Sequence, residues 1–294
     1  MAPARQAIVG AAFGYQPRAL TPLIRSLVKS EYKGDTWLLV SESDLRLESW
    51  LHANGVRTIR VGDVFPYAEI FAPAASQAPQ SLSGMSPHVR RYFMYRLFMR
   101  TVGRSYDLMM LSDTRDVIFQ KDPFDFPRPA ADVLFVLEDR GKSIGACTAN
   151  SAWVRNAFGE AVLSELGDKP ISCSGTMFGN LRGLTAYLDR FVDLAVSRNV
   201  TGVGGDQGIH NYIVHRDPIP DQHVFENEDG PVLTLHWKPA ETLQVGSDGI
   251  VKNARGAIPN VVHQYDRHPR LLNVLERKYC GALFHVTQRI RRAF

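Results

Sequence analysis

Two aspartates, Asp113 and Asp116, follow almost directly on the apolar run Leu108-Met109-Met110-Leu111. Four large apolar residues in a row read as a core strand, and an α/β sheet binds its ligands outside the carboxyl ends of its strands. Carboxylate oxygens there suit Mg²⁺ or Mn²⁺, ions that commonly grip a diphosphate. The same Asp-x-x-Asp spacing also makes an ordinary turn, with one side chain capping backbone N–H groups and the other pairing with Arg115. A third candidate is His263, where Val261-Val262 opens into the polar run Gln264-Tyr265-Asp266-Arg267-His268. That transition fits a strand ending at a site, with an imidazole available as a metal ligand. His236, in Leu235-His236-Trp237-Lys238, is the rival ligand, its alternative being a core-edge histidine beside a packing Trp.

The surrounding elements decide between these readings. Ala7–Ala12 and Thr36–Val40 read as strands, with Leu23, Ile24, Leu27 and Val28 forming one helix face between them. A second helix carries Leu47, Trp50 and Leu51, stops near Asn54-Gly55, and leads into the strand Thr58–Val61. This is a nucleotide-binding style of half-domain, yet no GxGxxG follows the first strand, which counts against a dinucleotide cofactor. Residues 72–87 are rich in Ala, Ser, Gln, Gly and Pro and read as a surface loop able to act as a lid. A helix over 88–102 feeds the carboxylate strand after a break at Gly103. Beyond it the reading is a strand at Val133–Leu137, a helix near 150–166, a small-residue strand at 171–178 and a helix at 184–196. Helical spacing resumes after Gly204-Gly205, which places Asp206 where an N-cap is expected. Strands around 232–235 and 260–263 precede a basic amphipathic tail with Phe284, Val286, Ile290 and Phe294 among Arg289, Arg291 and Arg292.

With 294 residues, 45% of them hydrophobic, the chain can bury a continuous core. The formal charge of +4 is modest for this length and does not suggest nucleic acid. Cys147, Cys173 and Cys280 are too scattered for a zinc pattern and read as reduced thiols. No apolar run approaches the ~20 residues that span a bilayer, and Met1–Gln6 lacks the apolar stretch of a secretory signal. A cytoplasmic location is the expectation, with the basic tail able to meet an anionic membrane surface.

Read together, these pieces resemble the GT-A-fold glycosyltransferases, especially the glycogenin-like and bacterial galactosyltransferase branch. Tyr95-Arg96-Leu97 lies on the helix before the carboxylate strand, as a Tyr-x-Arg-Leu type sequence does in that branch. Asp116 matches the second acid of the DxD motif, and Asp122-Pro123-Phe124 follows at the family's interval. Ser174-Gly175-Thr176, Asp206-Gln207 and His263 stand in the order of the segment facing the donor sugar, the Asp-Gln helix start and the C-terminal metal-binding His. One departure is clear: the first acid of the motif aligns with Thr114, and Asp113 stands one residue earlier.

The resemblance implies an α/β fold, a GT-A-like single domain with a Rossmann-like nucleotide-binding N-terminal half and a central mixed sheet. The divisions expected are about 7–125 for the nucleotide half, 126–270 for the sugar and acceptor half, and 271–294 for the tail. The activity implied is metal-dependent transfer of a sugar, with Mn²⁺ or Mg²⁺, from a nucleoside diphosphate sugar donor to a hydroxyl of a glycan or glycolipid acceptor, with retention favoured. Asp116 and His263 are then metal ligands, and Asp113 binds the metal, directly or through water, or the nucleotide ribose. Arg96, Ser174, Gly175 and Lys238 are donor contacts, and Asp206 and Gln207 are the catalytic candidates. Glu138, Asp139, Asn150 and Trp153 are further pocket candidates. Alternatives are a nucleotidyltransferase, which would release diphosphate, and a non-catalytic nucleotide- or glycan-binding protein.

Overall fold

In a computed structural model, which describes residues 4–62, 82 and 84–281, the N-terminal run forms β1 (Gln6–Ala11), α1 (Pro17–Lys29), β2 (Asp35–Ser41), α2 (Leu45–Ala53) and β3 (Arg57–Val61). Leu20, Leu23, Ile24 and Leu27 give α1 one buried face, and Pro17 opens it where the missing N–H costs nothing. Asp44 caps α2 by accepting the Leu47 N–H at 3.1 Å. Then come α3 (Pro87–Arg100), β4 (Leu108–Ser112), β5 (Val117–Phe119), β6 (Val133–Leu137), α4 (Thr148–Phe158) and α5 (Glu160–Leu166). The remainder is β7 (Ser172–Gly179), α6 (Leu181–Ser197), α7 (Gly205–Arg216), β8 (Gln222–Phe225), β9 (Val232–Thr234), the short pair β10 (Gln244–Val245) and β11 (Val251–Lys252), β12 (Val261–His263) and α8 (Pro269–Cys280).

The main sheet has seven strands in the order β3-β2-β1-β4-β7-β6-β8. It is mixed: β3, β2, β1 and β4 are parallel, while β7 runs antiparallel to both β4 and β6. Alternate residues of these strands enter two cores. Ala7, Val9, Met109 and Leu111 join α3 and α6 on one face, where Tyr92 stacks on Phe191 with ring centroids 3.9 Å apart. Ile8, Leu38, Val40 and Met110 join α1, α2 and the second sheet on the other. That second sheet, β5-β12-β9, sets His263 opposite Val117 and Thr234.

Three expectations change. The helix read over 150–166 is two, because Gly159 takes φ 88° and breaks the ladder between α4 and α5. The stretch from 271 does not begin as a tail: it lies within α8, whose Leu271, Leu275 and Tyr279 are buried, and Arg25 donates to the Tyr279 carbonyl at 2.6 Å. The rest of the tail, residues 282–294, lies outside the described residues, as does most of the 72–87 lid. Third, Asp206 is not an N-cap. Gly204 holds that position in a left-handed conformation, φ 78°, and Asp206 is the second residue of α7.

No helix among the described residues is long and apolar enough to cross a membrane.

Candidate metal and sugar site

The turn between β4 and β5 is held on both sides. The Asp113 N–H donates to the Gly175 carbonyl on β7 at 2.6 Å, and the Gln264 N–H after β12 donates to the Asp116 carbonyl at 2.8 Å. These two bonds bring together three groups far apart in the chain. His263 Nε2 lies 3.3 Å from Asp113 Oδ2 and 3.8 Å from Asp116 Oδ1, and one ligand atom from each residue falls within a 4.8 Å cluster. Thr114, aligned with the family's first acid, points its hydroxyl away and donates to the Ala11 carbonyl at 2.8 Å. Asp113 therefore occupies the place beside the histidine.

The cluster is built for positive charge. Burial pushes the Asp113 carboxyl up, but Arg91 and then His263 outweigh it and hold the group well below the usual carboxylate range. Asp116 is raised, because burial exceeds the attraction of His263. Burial opposes charge on His263, yet Cys173, Asp113 and Asp116 together raise its pKa well above the ordinary value. A proton on His263 thus stands where a cation is wanted. Its other nitrogen, Nδ1, faces the Cys173 sulfur at 3.6 Å, which orients Nε2 toward the carboxylates. Arg115 does not compete strongly for Asp116: it pairs with Asp266 at 3.0 Å and stands 3.8 Å from Asp116.

Around this cluster opens a cavity of about 520 Å³, walled by Arg91, Glu138, Asn150, Trp153, Ser174, Gly175, Asp206 and Gln207 among others. Arg91 bridges its two sides, pairing with Asp113 and reaching Asp206 Oδ2 at 3.0 Å. The Ser174 hydroxyl donates to the same Asp206 oxygen at 3.3 Å. Gln207 spends its amide on β7, accepting the Ser174 N–H at 3.0 Å and donating to the Ser172 carbonyl at 2.5 Å. A Cβ on Gly175 would sit 2.4 Å from Asp113 Oδ2 and 2.5 Å from His263, so only glycine leaves the cluster open.

Two expected contacts lie elsewhere. Arg96 is fully buried in α3 and paired with Asp189 of α6; five residues of helix separate it from Arg91 by ~7.5 Å of rise, enough to move it from cavity to core. Lys238 is buried against Glu228, with Asp139 at 3.9 Å, and is not part of the cavity wall. His236 reaches the wall and stacks on Trp237, but it is not one of the three clustered groups. Arg91 escaped the sequence reading.

No family model matches the chain, and no curated protein matches it in sequence. Solved structures do match in shape. A bifunctional glycosyltransferase, WbbM, superposes with a TM-score of 0.55 at 14% identity, over 97% of this chain and 52% of that one. The galactosyltransferase LgtC in complex with donor and acceptor sugar analogues gives 0.50 at 13% identity, over 92% and 95% of the two chains. An active-site mutant of LgtC gives 0.51 at 12% identity, over 91% and 94%. The chain thus has the GT-A-like α/β fold of these structures: one domain with a mixed sheet flanked by helices.

Proposed function

We propose that the chain is a metal-dependent glycosyltransferase that moves a hexosyl group from a nucleoside diphosphate sugar to a hydroxyl of a glycan or glycolipid acceptor, with retention at the anomeric carbon. The observation that carries this reading is the clustering of Asp113 and Asp116 with the buried His263, the two carboxylates lining a cavity together with Ser174, Gly175 and Asp206.

The residues fit a divalent ion. Two carboxylates and one imidazole suit Mn²⁺ or Mg²⁺, and Gly175 keeps the space between them clear. What such an ion supplies when bound is neutralisation of the charge that grows on the diphosphate as the glycosidic bond breaks. The chain's own groups do the rest. His263 presents Nε2 after losing its proton, Arg91 fixes Asp113 and Asp206 relative to one another, and Asp206 turns its second oxygen to the sugar. Gln207 pins β7, so that Ser174-Gly175 can approach the sugar closely. Arg91 takes the part first assigned to Arg96.

The test is donor turnover. Incubated with a panel of nucleotide sugars and Mn²⁺, the protein is expected to release a nucleoside diphosphate slowly even without acceptor, and NMR of a transfer product should show the donor's anomeric configuration. Asp116→Ala should weaken metal-dependent donor binding by on the order of a hundredfold with little change in melting temperature, whereas Gly175→Ala should weaken it similarly and also lower the melting temperature, because its Cβ would press on Asp113 and the buried His263. Full donor affinity in the presence of a chelator would overturn the reading, and release of diphosphate instead would mark a nucleotidyltransferase.

A further inference from the structure

Four side-chain oxygens in the cavity wall have no hydrogen-bond donor among the described residues: Glu138 Oε2, Asn150 Oδ1, Asp206 Oδ1 and, on a half-buried side chain, Gln264 Oε1. The first three belong to residues that are nearly inaccessible, at 3%, 5% and 3% exposure. Buried acceptors are paired almost without exception in folded proteins, so three unpaired ones around a single cavity call for a common explanation. Each is also held in place. Asn150 Nδ2 donates to Cys147 Sγ at 3.2 Å, which leaves its oxygen as the free end. Asp206 Oδ2 is taken by Arg91 and Ser174, which fixes Oδ1. Glu138 directly follows β6, and its backbone N–H donates to the Ile171 carbonyl at 2.7 Å.

Resting on the glycosyltransferase reading, we propose that Glu138, Asn150 and Asp206 form the subsite for a neutral, hydroxyl-bearing sugar, whose O–H groups supply the missing donors, and that the two carboxylates exclude sugars carrying a carboxylate of their own. A hydroxyl is the group that fits, because it both donates and accepts. It can therefore pair with Glu138 in either protonation state, and burial raises this carboxyl to about 7. A uronosyl carboxylate offers only acceptors and would face the Asp206 carboxylate and the Asn150 oxygen, at a site where the terminal nitrogens of Arg91 are already committed to Asp113 and Asp206.

The experiment is calorimetric binding with Mn²⁺. UDP-glucose, UDP-galactose, GDP-mannose, ADP-glucose, TDP-glucose and UDP-glucuronate are compared with UDP, GDP, ADP and TDP. At least one neutral nucleotide sugar should bind about tenfold or more tighter than its own diphosphate, and UDP-glucuronate no tighter than UDP. Glu138→Ala should reduce the gain from the sugar to less than about threefold while the bare diphosphate binds as before. Glu138→Gln should keep the neutral sugar's gain and admit the uronosyl donor. Its melting temperature should not fall, since it replaces a buried carboxyl, one of whose oxygens has no donor, with an uncharged isostere. Unchanged affinity of Glu138→Ala for the neutral nucleotide sugar, or a gain from glucuronate equal to that from glucose, would overturn the subsite while leaving the diphosphate site intact. If no diphosphate binds with Mn²⁺, the glycosyltransferase reading itself fails, and the subsite with it.

Discussion

Arg91 joins two carboxylates that the sequence presents 93 positions apart, Asp113 and Asp206, and its neighbour five residues on, Arg96, is sealed in the core. Asp113, Asp116 and His263 were legible because each stands where an apolar strand gives way to polar chain. The choice between the two arginines was not, since α3 is buried from Tyr92 to Met99 and has no apolar stripe to tell its faces apart. His210 was not singled out either, although it anchors β7 from behind. Ser172 Oγ donates to the Val136 carbonyl at 3.3 Å and so accepts from His210 Nε2 at 2.9 Å, while Tyr187 donates to Nδ1 at 2.8 Å. This arrangement needs a neutral ring, and burial lowers the His210 pKa to about 3. In the unfolded chain it titrates near 6.5. The stability tied to this ring is therefore complete above about pH 6.5 and is lost progressively as the pH falls toward 3, about 2 kcal/mol of it by pH 5. Urea unfolding at pH 7 and pH 5 should show His210→Gln less stable than the parent at pH 7 but with a smaller drop between the two. The parallel comparison matters, because His215 and His236 are also lowered whereas His263 is raised. Equal drops in both proteins would remove His210 from the acid sensitivity.

Among the elements, those with long apolar runs or clear helical spacing could be read from sequence: β1 to β3, α3, β4, β6, β7 and α6. Of the short strands β9 and β12 could be read as well, but β5 and β8 could not. β5 has three residues directly after the Asp113–Asp116 turn, and β8 is a half-buried edge strand of mixed polarity, so neither offers enough alternation to be seen. The start of α7 was misplaced by two residues for a different reason: what fixes it is a tertiary contact. A Cβ on Gly204 would fall 2.0 Å from the Trp153 ring, and the backbone there has φ 78°. Gly204 thus lets α4 and α7 close over one wall of the cavity. Gly204→Ala should cost roughly 1–3 kcal/mol and displace Trp153. Thermal unfolding and the tryptophan emission maximum would report both effects, and donor turnover should fall with them. A variant with parental stability and emission would show that the helix start tolerates a side chain.

Across the whole molecule, the seven-stranded sheet carries most of the core, whereas His263 arrives on a sheet of three strands with three residues each. Asp113 and His263 are 150 positions apart, and few backbone hydrogen bonds tie the small sheet together. A divalent ion bridging them would act as a removable cross-link, worth about 2.7 kcal/mol when present at a hundred times its dissociation constant. Deuterium uptake with Mn²⁺ and with chelator should therefore diverge at the backbone amides of Val117–Phe119 and Val261–His263 together, and hardly at all in β1 to β3. The small sheet would then be firmer with the ion bound than without it, so that metal supply would govern how well β5 and β12 resist proteolysis.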